Sequence, residues 1–132
     1  MSHLLDVNFL IACGWQSHAD HVRASRWLSH AKSFATSSIS EMGFLRVSLS
    51  PAFGARFEDS IAALEGIVRM RGHRFVQDGT RASSLPIVAT SKDVTDAHLV
   101  YLARRYRLKL ATFDAALCDK PWARGVAEDP TI

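Results

Sequence analysis

The chain has 132 residues, of which 48% are hydrophobic and 22% charged, a composition typical of one globular domain with its own core. Its net charge of +3 and its pI of about 9.2 give a moderate basic bias, and its two cysteines, Cys13 and Cys118, lack the spacing of a disulfide framework or a zinc site. Free thiols suit a reducing cytoplasm. No stretch of the sequence approaches the ~20 apolar residues of a membrane helix. Asp6 interrupts the only N-terminal apolar run that could form a signal peptide. We therefore expect a single cytoplasmic domain over residues 1–132, without a membrane segment.

The first residues predict a short buried strand that ends at Asp6 and a helix that begins near Asn8. Apolar residues stand on both sides of the acid, since Leu4 and Leu5 precede it and a second apolar run starts at Val7. Asp and Asn suit this junction because their side chains accept hydrogen bonds from the free N–H groups of a first helical turn. An ionised carboxylate in such apolar surroundings is costly unless something pairs with it.

Further along the chain, predicted helices alternate with short apolar strands. Helical periodicity covers residues 18–31, 38–49, 56–71 and 93–106, and strand patterns cover 33–36, 73–76 and 108–113, with a last edge strand beginning at 125–127. Such alternation favours a mainly parallel central sheet with helices on both faces, a three-layer α/β/α architecture. Residues 85–89 are apolar enough for another strand, but Pro86 argues against a central one.

Local patterns give sharper expectations within these helices. Ser38 and Glu41 fit the Ser-x-x-Glu capping box that opens a helix. The helix over residues 56–71 is expected to bury one face, formed by Phe57, Ile61, Leu64 and Val68. His18 and His21 are three residues apart and could share a metal, but the sequence shows no third ligand, so solvated helix histidines are the favoured interpretation.

Four acids stand where a strand gives way to a helix or in the first turn of a helix: Asp6, Glu41, Asp96 and Asp114. Each can be explained alone as a helix cap, a capping-box partner or a group facing the helix dipole. In an open parallel sheet, however, ligands bind beside the carboxyl ends of the strands, and the predicted topology places all four acids there. Crowded carboxylates repel one another, and a hard divalent cation such as Mg²⁺ or Mn²⁺ would resolve that conflict. Cations held in this way commonly serve phosphoryl chemistry.

The distribution of charge bears on the partner. If these four acids gather in one pocket, the other nine acids face 16 lysines and arginines, an excess of seven positive charges. Such a surface suits a polyanion such as RNA. Charge alone nevertheless favours the plainer interpretation of a basic globular protein.

The four acidic motifs, in their order along the chain, resemble those of the PIN-domain ribonucleases. More narrowly, they resemble those of the VapC-type toxins of bacterial and archaeal toxin–antitoxin pairs. The resemblance covers essentially the whole chain and rests on four motifs, at residues 4–10, 39–46, 95–103 and 111–114. After the fourth acid the family often has a basic or aromatic pair, whereas this chain has Ala115-Ala116-Leu117. That departure bears on RNA contact from this turn and not on the acids.

The resemblance implies a function and a mechanism. The four acids would hold Mg²⁺ or Mn²⁺, directly or through water, and an activated water would attack an RNA phosphodiester in line, leaving a 5′-phosphate and a 3′-hydroxyl. Asn8 and Thr112 would orient carboxylates or water through hydrogen bonds. The substrate would be a structured RNA, often transfer RNA. The partner would be a small VapB-type antitoxin whose C-terminal segment covers the active site, and the chain would form a homodimer.

Other folds that use acids at strand ends fit less well. A phospho-receiver domain needs paired acids near its first strand, whereas Asp6 stands alone, and Lys120 does not follow an apolar strand as the receiver lysine does. A haloacid-dehalogenase-like phosphatase needs Asp-x-Asp at its start, but the third position is Asn8. The remaining alternative is a PIN-fold module that binds RNA or a protein without cutting, and the presence of all four acids speaks against it.

Two finer expectations concern single residues. Asp96 is expected on the inward face of its helix because apolar residues follow it at helical spacing, whereas Asp93 is expected to cap that helix and meet solvent. Exposed aromatics among Phe9, Trp15 and Trp27 would form an apolar groove for the antitoxin, although for Trp27 burial in the core is the favoured interpretation.

Overall fold

A single sheet of five parallel strands organises the chain in the computed structural model, which describes residues 2–132. The strands are β1 (His3–Leu5), β2 (Phe34–Thr36), β3 (His73–Phe75), β4 (Lys109–Ala111) and β5 (Ala127–Glu128). The helices are α1 (Val7–Gly14), α2 (His21–His30), α3 (Ser38–Leu49), α4 (Phe57–Val68), α5 (Asp93–Arg105) and α6 (Ala115–Cys118), with a 3₁₀ turn at Ala82–Ser84. The predicted alternation of helices and parallel strands is confirmed.

The helices cover both faces of the sheet because successive residues of a strand point to opposite sides. Leu4 of β1 packs into a buried cluster with residues of α5 and α6, whereas the next residue, Leu5, packs with α1, α2, α3 and α4. In β4, Leu110 and Ala111 divide between the same two clusters. The predicted three-layer α/β/α architecture is therefore confirmed.

The order of the strands creates a crevice at one edge of the sheet. The order is β3-β2-β1-β4-β5. Strands β2 and β3 are added on one side of β1, and the connection through α5 then leads to the other side, where β4 and β5 are added. Where the direction of winding changes, between β1 and β4, the connecting helices leave the sheet on opposite faces and open a crevice at the strand ends. The two strand ends are fixed to each other there, since the backbone N–H of Asp6 donates to the carbonyl of Ala111 at 2.9 Å.

The N-cap of α3 lies one residue earlier than the sequence suggests. Its N-cap is Ser37, whose Oγ accepts from the backbone N–H of Ser40 while the Ser40 Oγ accepts from the Ser37 N–H. The predicted capping box of Ser38 with Glu41 is therefore wrong. Ser37 has the extended backbone that an N-cap needs, with φ of −132° and ψ of 171°. This arrangement releases the Glu41 carboxylate for another partner.

Helix–helix packing near β1 depends on a glycine. A Cβ atom built on Gly43 of α3 would overlap Cγ2 of Val7 in α1, so only glycine allows the two helices to approach this closely. Val7 directly follows Asp6, and Gly43 lies two positions after Glu41. The close approach of α1 and α3 therefore brings together two of the segments that carry the acids.

Two further expectations are corrected, and one segment that the sequence left open is assigned. Phe57 is 53% exposed because it opens α4, whereas Leu64 of the same predicted face is buried, together with Ile67. Residues 85–89, which the sequence left open, lie outside the sheet in irregular backbone, as Pro86 suggests, and Ile87 is 97% exposed. The second predicted helix begins at His21 rather than at residue 18. Within residues 2–132, no helix has the length and apolar character needed to cross a membrane.

Candidate active site

A pocket of about 400 Å³ opens at the crevice between the ends of β1 and β4. Three of the four predicted acids line it: Asp6, Asp96 and Asp114. The rest of the lining consists of Val7, Asn8, Ile11, His18, Val47 and Phe53. Glu41 lies outside this lining. The fold therefore brings three acids, separated by up to 108 positions in the sequence, to one opening.

Asp6 is the most deeply buried of the acids, with 5% of its surface exposed. It is the N-cap of α1, where Oδ1 accepts from the Val7 N–H at 2.7 Å and Oδ2 accepts from the Thr112 hydroxyl at 2.8 Å. Burial raises the pKa of Asp6 above its ordinary value, the two hydrogen bonds act against that rise, and repulsion from Asp114 adds to it. The capping role predicted from sequence is real, and it leaves the carboxylate at the edge of the pocket.

The buried hydroxyl of Thr112 connects the ends of the two central strands. Its Oγ1 donates to Asp6 and accepts from the backbone N–H of Asp114 at 3.1 Å and from Nδ2 of Asn8 at 3.2 Å. Asn8 in turn accepts the N–H of Phe113 at 3.1 Å through its Oδ1. These contacts match the expectation that Asn8 and Thr112 orient the carboxylates.

Asp114 occupies the same kind of position at the end of β4 that Asp6 occupies at the end of β1. It is the N-cap of α6, and its Oδ1 accepts from the backbone N–H of Leu117 at 3.1 Å. One carboxylate oxygen is thus held by the helix, and the side chain still contributes to the pocket lining. Both strand-end acids combine helix capping with a place in the crevice.

Asp96 lies in the first turn of α5 and faces the pocket, as its spacing from the apolar residues predicts. Burial, followed by repulsion from Asp6, Asp114 and Asp93, raises the pKa of Asp96 to about 6, and attraction to Lys120 acts against that rise. The three pocket acids therefore sense one another electrostatically. An added positive charge would relieve their repulsion.

Asp93 does not behave as the sequence suggests. Helix α5 begins at Asp93 itself, with Lys92 as its N-cap, and only 14% of the Asp93 side chain is exposed. Its Oδ2 lies 3.8 Å from Nζ of Lys120. The expectation that Asp93 caps the helix and meets solvent is therefore wrong, because Lys92 takes the cap position and the Asp93 side chain is mostly buried.

Glu41 is held at the end of the neighbouring strand, β2. Its Oε2 accepts a hydrogen bond of 2.6 Å from the hydroxyl of Thr36, the last residue of β2, and Thr36 is fully buried. Because β2 lies directly beside β1, Glu41 and Asp6 both follow adjacent strand ends. The structure thus places Glu41 on the correct edge of the sheet and joins it to Thr36 rather than to the pocket acids.

Sequence reasoning missed the part that His18 plays in the pocket. We expected a solvated helix histidine, but its ring lines the acidic pocket in the loop before α2. Its Nδ1 accepts the backbone N–H of Asp20 at 3.0 Å, so in the neutral ring the proton lies on Nε2. A protonated Nε2 is a hydrogen-bond donor and not a metal ligand.

The predicted aromatic groove is not formed by the residues we expected. Phe9 is fully buried, and Trp15 and Trp27 pack against the same core cluster. Phe9 stacks on Phe113 with ring centroids 4.7 Å apart and meets Trp27 edge-on at 5.3 Å. The expectation that Trp27 belongs to the core agrees with this packing. The apolar wall of the pocket is instead made by residues of α1, α3 and the segment after α3.

The chemistry of this donor set fits a hard divalent cation. Among residues 2–132, no three acidic, histidine or cysteine side chains stand close enough together to form a complete ligand set. Three carboxylates nevertheless share one opening, and the pKa of Asp6 and that of Asp96 are both raised. Carboxylate oxygens are the ligands that Mg²⁺ and Mn²⁺ prefer, and such ions usually keep several waters. The residues are therefore suited to an ion held by one or two direct carboxylate contacts.

Comparisons with known proteins agree with this geometry. A PIN-domain family model matches residues 3–123. The chain is 39% identical to ribonuclease VapC39 of Mycobacterium tuberculosis over 135 residues, covering 90% of this chain and 93% of that protein. It is 38% identical to ribonuclease VapC38 of the same organism over 123 residues, covering 86% of each.

Solved structures share the fold at much lower identity. The VapC20 toxin of M. tuberculosis, which cleaves the sarcin–ricin loop, superimposes with a TM-score of 0.63 at 16% identity, covering 89% of this chain and 92% of that one. VapBC2 from Rickettsia felis, solved with a DNA fragment from its promoter, gives a TM-score of 0.65 at 15% identity, covering 97% and 98%. The chain therefore belongs to the PIN-domain family and, within it, to the VapC-type ribonucleases.

Proposed function

We propose that this chain is a metal-dependent endoribonuclease, the toxin of a VapBC-type pair, formed by one domain over residues 1–132. The observation that carries the metal dependence is the pocket at the crevice, where three aspartates share one opening and repel one another. Similarity to ribonucleases VapC39 and VapC38 supports RNA as the substrate class. We expect a structured RNA, with transfer RNA as the first to be tested.

The proposed ligands are the four predicted acids, Asp6, Glu41, Asp96 and Asp114, acting directly or through water. A bound Mg²⁺ or Mn²⁺ would lower the pKa of the attacking water and offset negative charge on the phosphate oxygens. The protein supplies the orientation of these carboxylates, because Thr112 and the first turn of α1 fix Asp6 while the first turn of α6 fixes Asp114. Rigid carboxylates preserve the charge arrangement that the reaction needs.

His18 has a separate part in this proposal. Its ring lines the pocket beside the acids, and its Nδ1 is already occupied by the backbone of Asp20. The proton on Nε2 makes it a donor suited to a phosphate oxygen of the RNA. In this proposal the cation offsets the charge of the acids, and His18 adds a hydrogen bond that positions the phosphate beside it.

The antitoxin is proposed to cover the same opening. The apolar wall formed by Ile11, Val47 and Phe53 lies directly beside the acids, so an apolar antitoxin segment seated there would block access to them. Co-expression with a small reading frame adjacent to the gene should relieve toxicity and yield a stable complex. Failure of both rescue and co-purification would favour a nuclease that acts alone.

Two finer assignments belong to the same proposal. We propose a homodimer, and the measurement is the mass of the antitoxin-free protein in solution by light scattering. We also propose that the chain acts in the cytoplasm, which is supported by its two free thiols, Cys13 and Cys118. An extracellular or periplasmic pool of the protein would contradict that placement.

The decisive experiment is RNA cleavage by purified, antitoxin-free protein with Mg²⁺ or Mn²⁺. Addition of EDTA should stop the reaction, and Asp96→Asn should abolish it, because an amide cannot supply the charge of a metal-binding carboxylate. Asp59→Asn, an exposed acid in the first turn of α4, is the matched control and should cleave normally. Undiminished cleavage in EDTA would contradict the metal mechanism.

A further inference from the structure

A chain of two short hydrogen bonds leads from Glu41 to a histidine in the edge strand β3. The hydroxyl oxygen of Thr36 lies 2.6 Å from Oε2 of Glu41 and 2.7 Å from Nε2 of His73. Thr36 is fully buried, whereas Glu41 and His73 are each partly exposed. The hydroxyl is therefore shielded from water between two polar side chains, one from each side.

The number of available protons sets the direction of both bonds. A threonine hydroxyl carries one proton, and an ionised carboxylate can only accept. Thr36 must therefore donate to Glu41, and the short contact with His73 is a hydrogen bond only if Nε2 of His73 carries a proton and donates to the hydroxyl oxygen. Burial lowers the pKa of His73 more than the nearby charge of Glu41 raises it, which favours the neutral ring, and the 2.7 Å contact with Thr36 then assigns the single proton to Nε2.

The histidine is held rigidly enough to act in this way. His73 is paired with Phe34 in the register of β2 and β3, and the two rings pack with centroids 5.5 Å apart. Its backbone N–H also donates to the carbonyl of Met70 at 3.1 Å, in the turn after α4. The side chain thus reaches along β2 from a fixed origin to the hydroxyl at the end of that strand.

We propose that His73 is a positioning residue of the nuclease site, which acts on Glu41 through Thr36. By donating from Nε2, His73 turns the single proton of Thr36 toward Oε2 of Glu41 and fixes that carboxylate in one rotamer. Oε2 is thereby committed to Thr36, which leaves Oε1 for a divalent cation. This inference rests on the proposed function, since it requires Glu41 to be a metal ligand.

Partners that orient a ligating carboxylate affect metal affinity, and their loss typically weakens it by roughly 10–100-fold. The readout is therefore the dissociation constant for Mn²⁺ in the absence of RNA, followed by the electron paramagnetic resonance of free Mn²⁺ in a titration of the full chain. His73→Phe and Thr36→Val should each weaken Mn²⁺ binding by about 10-fold. Because both break the same chain, the double variant should bind no more weakly than the single ones.

Conservative variants separate positioning from a merely structural role. His73→Gln keeps an N–H donor near the position of Nε2, and Thr36→Ser keeps the hydroxyl, so both should bind Mn²⁺ within about 3-fold of the wild-type value. The control is His30→Gln, at the exposed end of α2, where Nδ1 lies 2.8 Å from the carbonyl of Arg26 within the same helix. Thermal unfolding in EDTA identifies variants that fail to fold, and Thr36→Val carries the test if His73→Phe is one of them.

Glu41→Gln distinguishes failure of this inference from failure of the proposed function. If Glu41→Gln weakens Mn²⁺ binding while folded His73→Phe and Thr36→Val bind normally, the positioning role is overturned and the metal site stands. If neither Glu41→Gln nor Asp96→Asn changes Mn²⁺ affinity, the proposed metal site itself is wrong. Equal losses in His73→Phe and His73→Gln would also overturn the role, since the donor would then be irrelevant.

Discussion

Replacement of Asp96 by Asn should stabilise the metal-free protein, and only where the aspartate is ionised. The pKa of Asp96 is about 6 in the folded chain, against an ordinary value of 3.8, because of burial and then repulsion from neighbouring acids. A group whose pKa is raised by folding favours the folded state while it is protonated. That contribution is complete below about pH 4 and is lost as the pH rises through 6.

The size of the effect follows from the same values. Each unit of pKa corresponds to about 1.4 kcal/mol, so the difference between 3.8 and about 6 sets an upper limit of about 3 kcal/mol at pH 8. Asp96 is partly exposed, and solvent screening reduces the expected gain for Asp96→Asn to about 1–2 kcal/mol. At pH 4 the aspartate is largely protonated, so the variant and the wild type should differ little in unfolding free energy.

Urea unfolding in EDTA at pH 4 and pH 8 measures this difference directly. Asp59→Asn is again the control, and it should lose about 0.5 kcal/mol or less because it removes an exposed negative charge from the positive end of α4. The two substitutions thus change stability in opposite directions at pH 8. A destabilised Asp96→Asn protein at pH 8, or the same gain at both pH values, would refute the electrostatic account of the pocket.

Three other variants test neighbouring features. Asp93→Asn should still cleave RNA, because this acid is not a proposed ligand; a folded but inactive variant would show that the third ligand is misassigned. Gly43→Ala should lower the unfolding free energy by about 1–3 kcal/mol, since the new methyl group overlaps Val7. Gly66→Ala in α4 has open space and should stabilise the protein by up to about 1 kcal/mol. Equal melting temperatures for these two variants would contradict the packing argument. Thr112→Val should cost about 1–3 kcal/mol at pH 8 and weaken Mn²⁺ binding, because it leaves a buried carboxylate oxygen unpaired, while Thr112→Ser should not; a neutral Thr112→Val variant would show that its hydroxyl is dispensable.

The fold was accessible from sequence because it depends on patterns that are local. Short strands of two or three residues alternate with helices, and parallel pairing then follows from the length of the connections. The acids at the ends of β1 and β4 could be placed at one edge for the same reason, since every parallel strand ends on the same side. The alternation of strands and helices in the sequence was therefore enough to predict the fold class and the sheet edge at which these acids lie.

What sequence could not supply depends on side chains that meet only after folding. Two serines, Ser37 and Ser38, stand at the start of α3, and the extended backbone of Ser37 makes it the cap. His73 looks like an ordinary strand residue, and its role emerges only when β3 pairs with β2. His18 lies in a loop whose path into the pocket leaves no periodic signal. The partner of Asp93 is Lys120, which lies 27 residues further along the chain.

The position of β1 at the centre of the sheet has a consequence during synthesis on the ribosome. The backbone of Asp6 is fixed by Ala111, which the ribosome makes 105 residues later. At roughly 5–20 residues per second, the wait lasts roughly 5–20 seconds. A growing chain therefore carries Asp6 for several seconds before β4 exists to complete the crevice between the two strand ends.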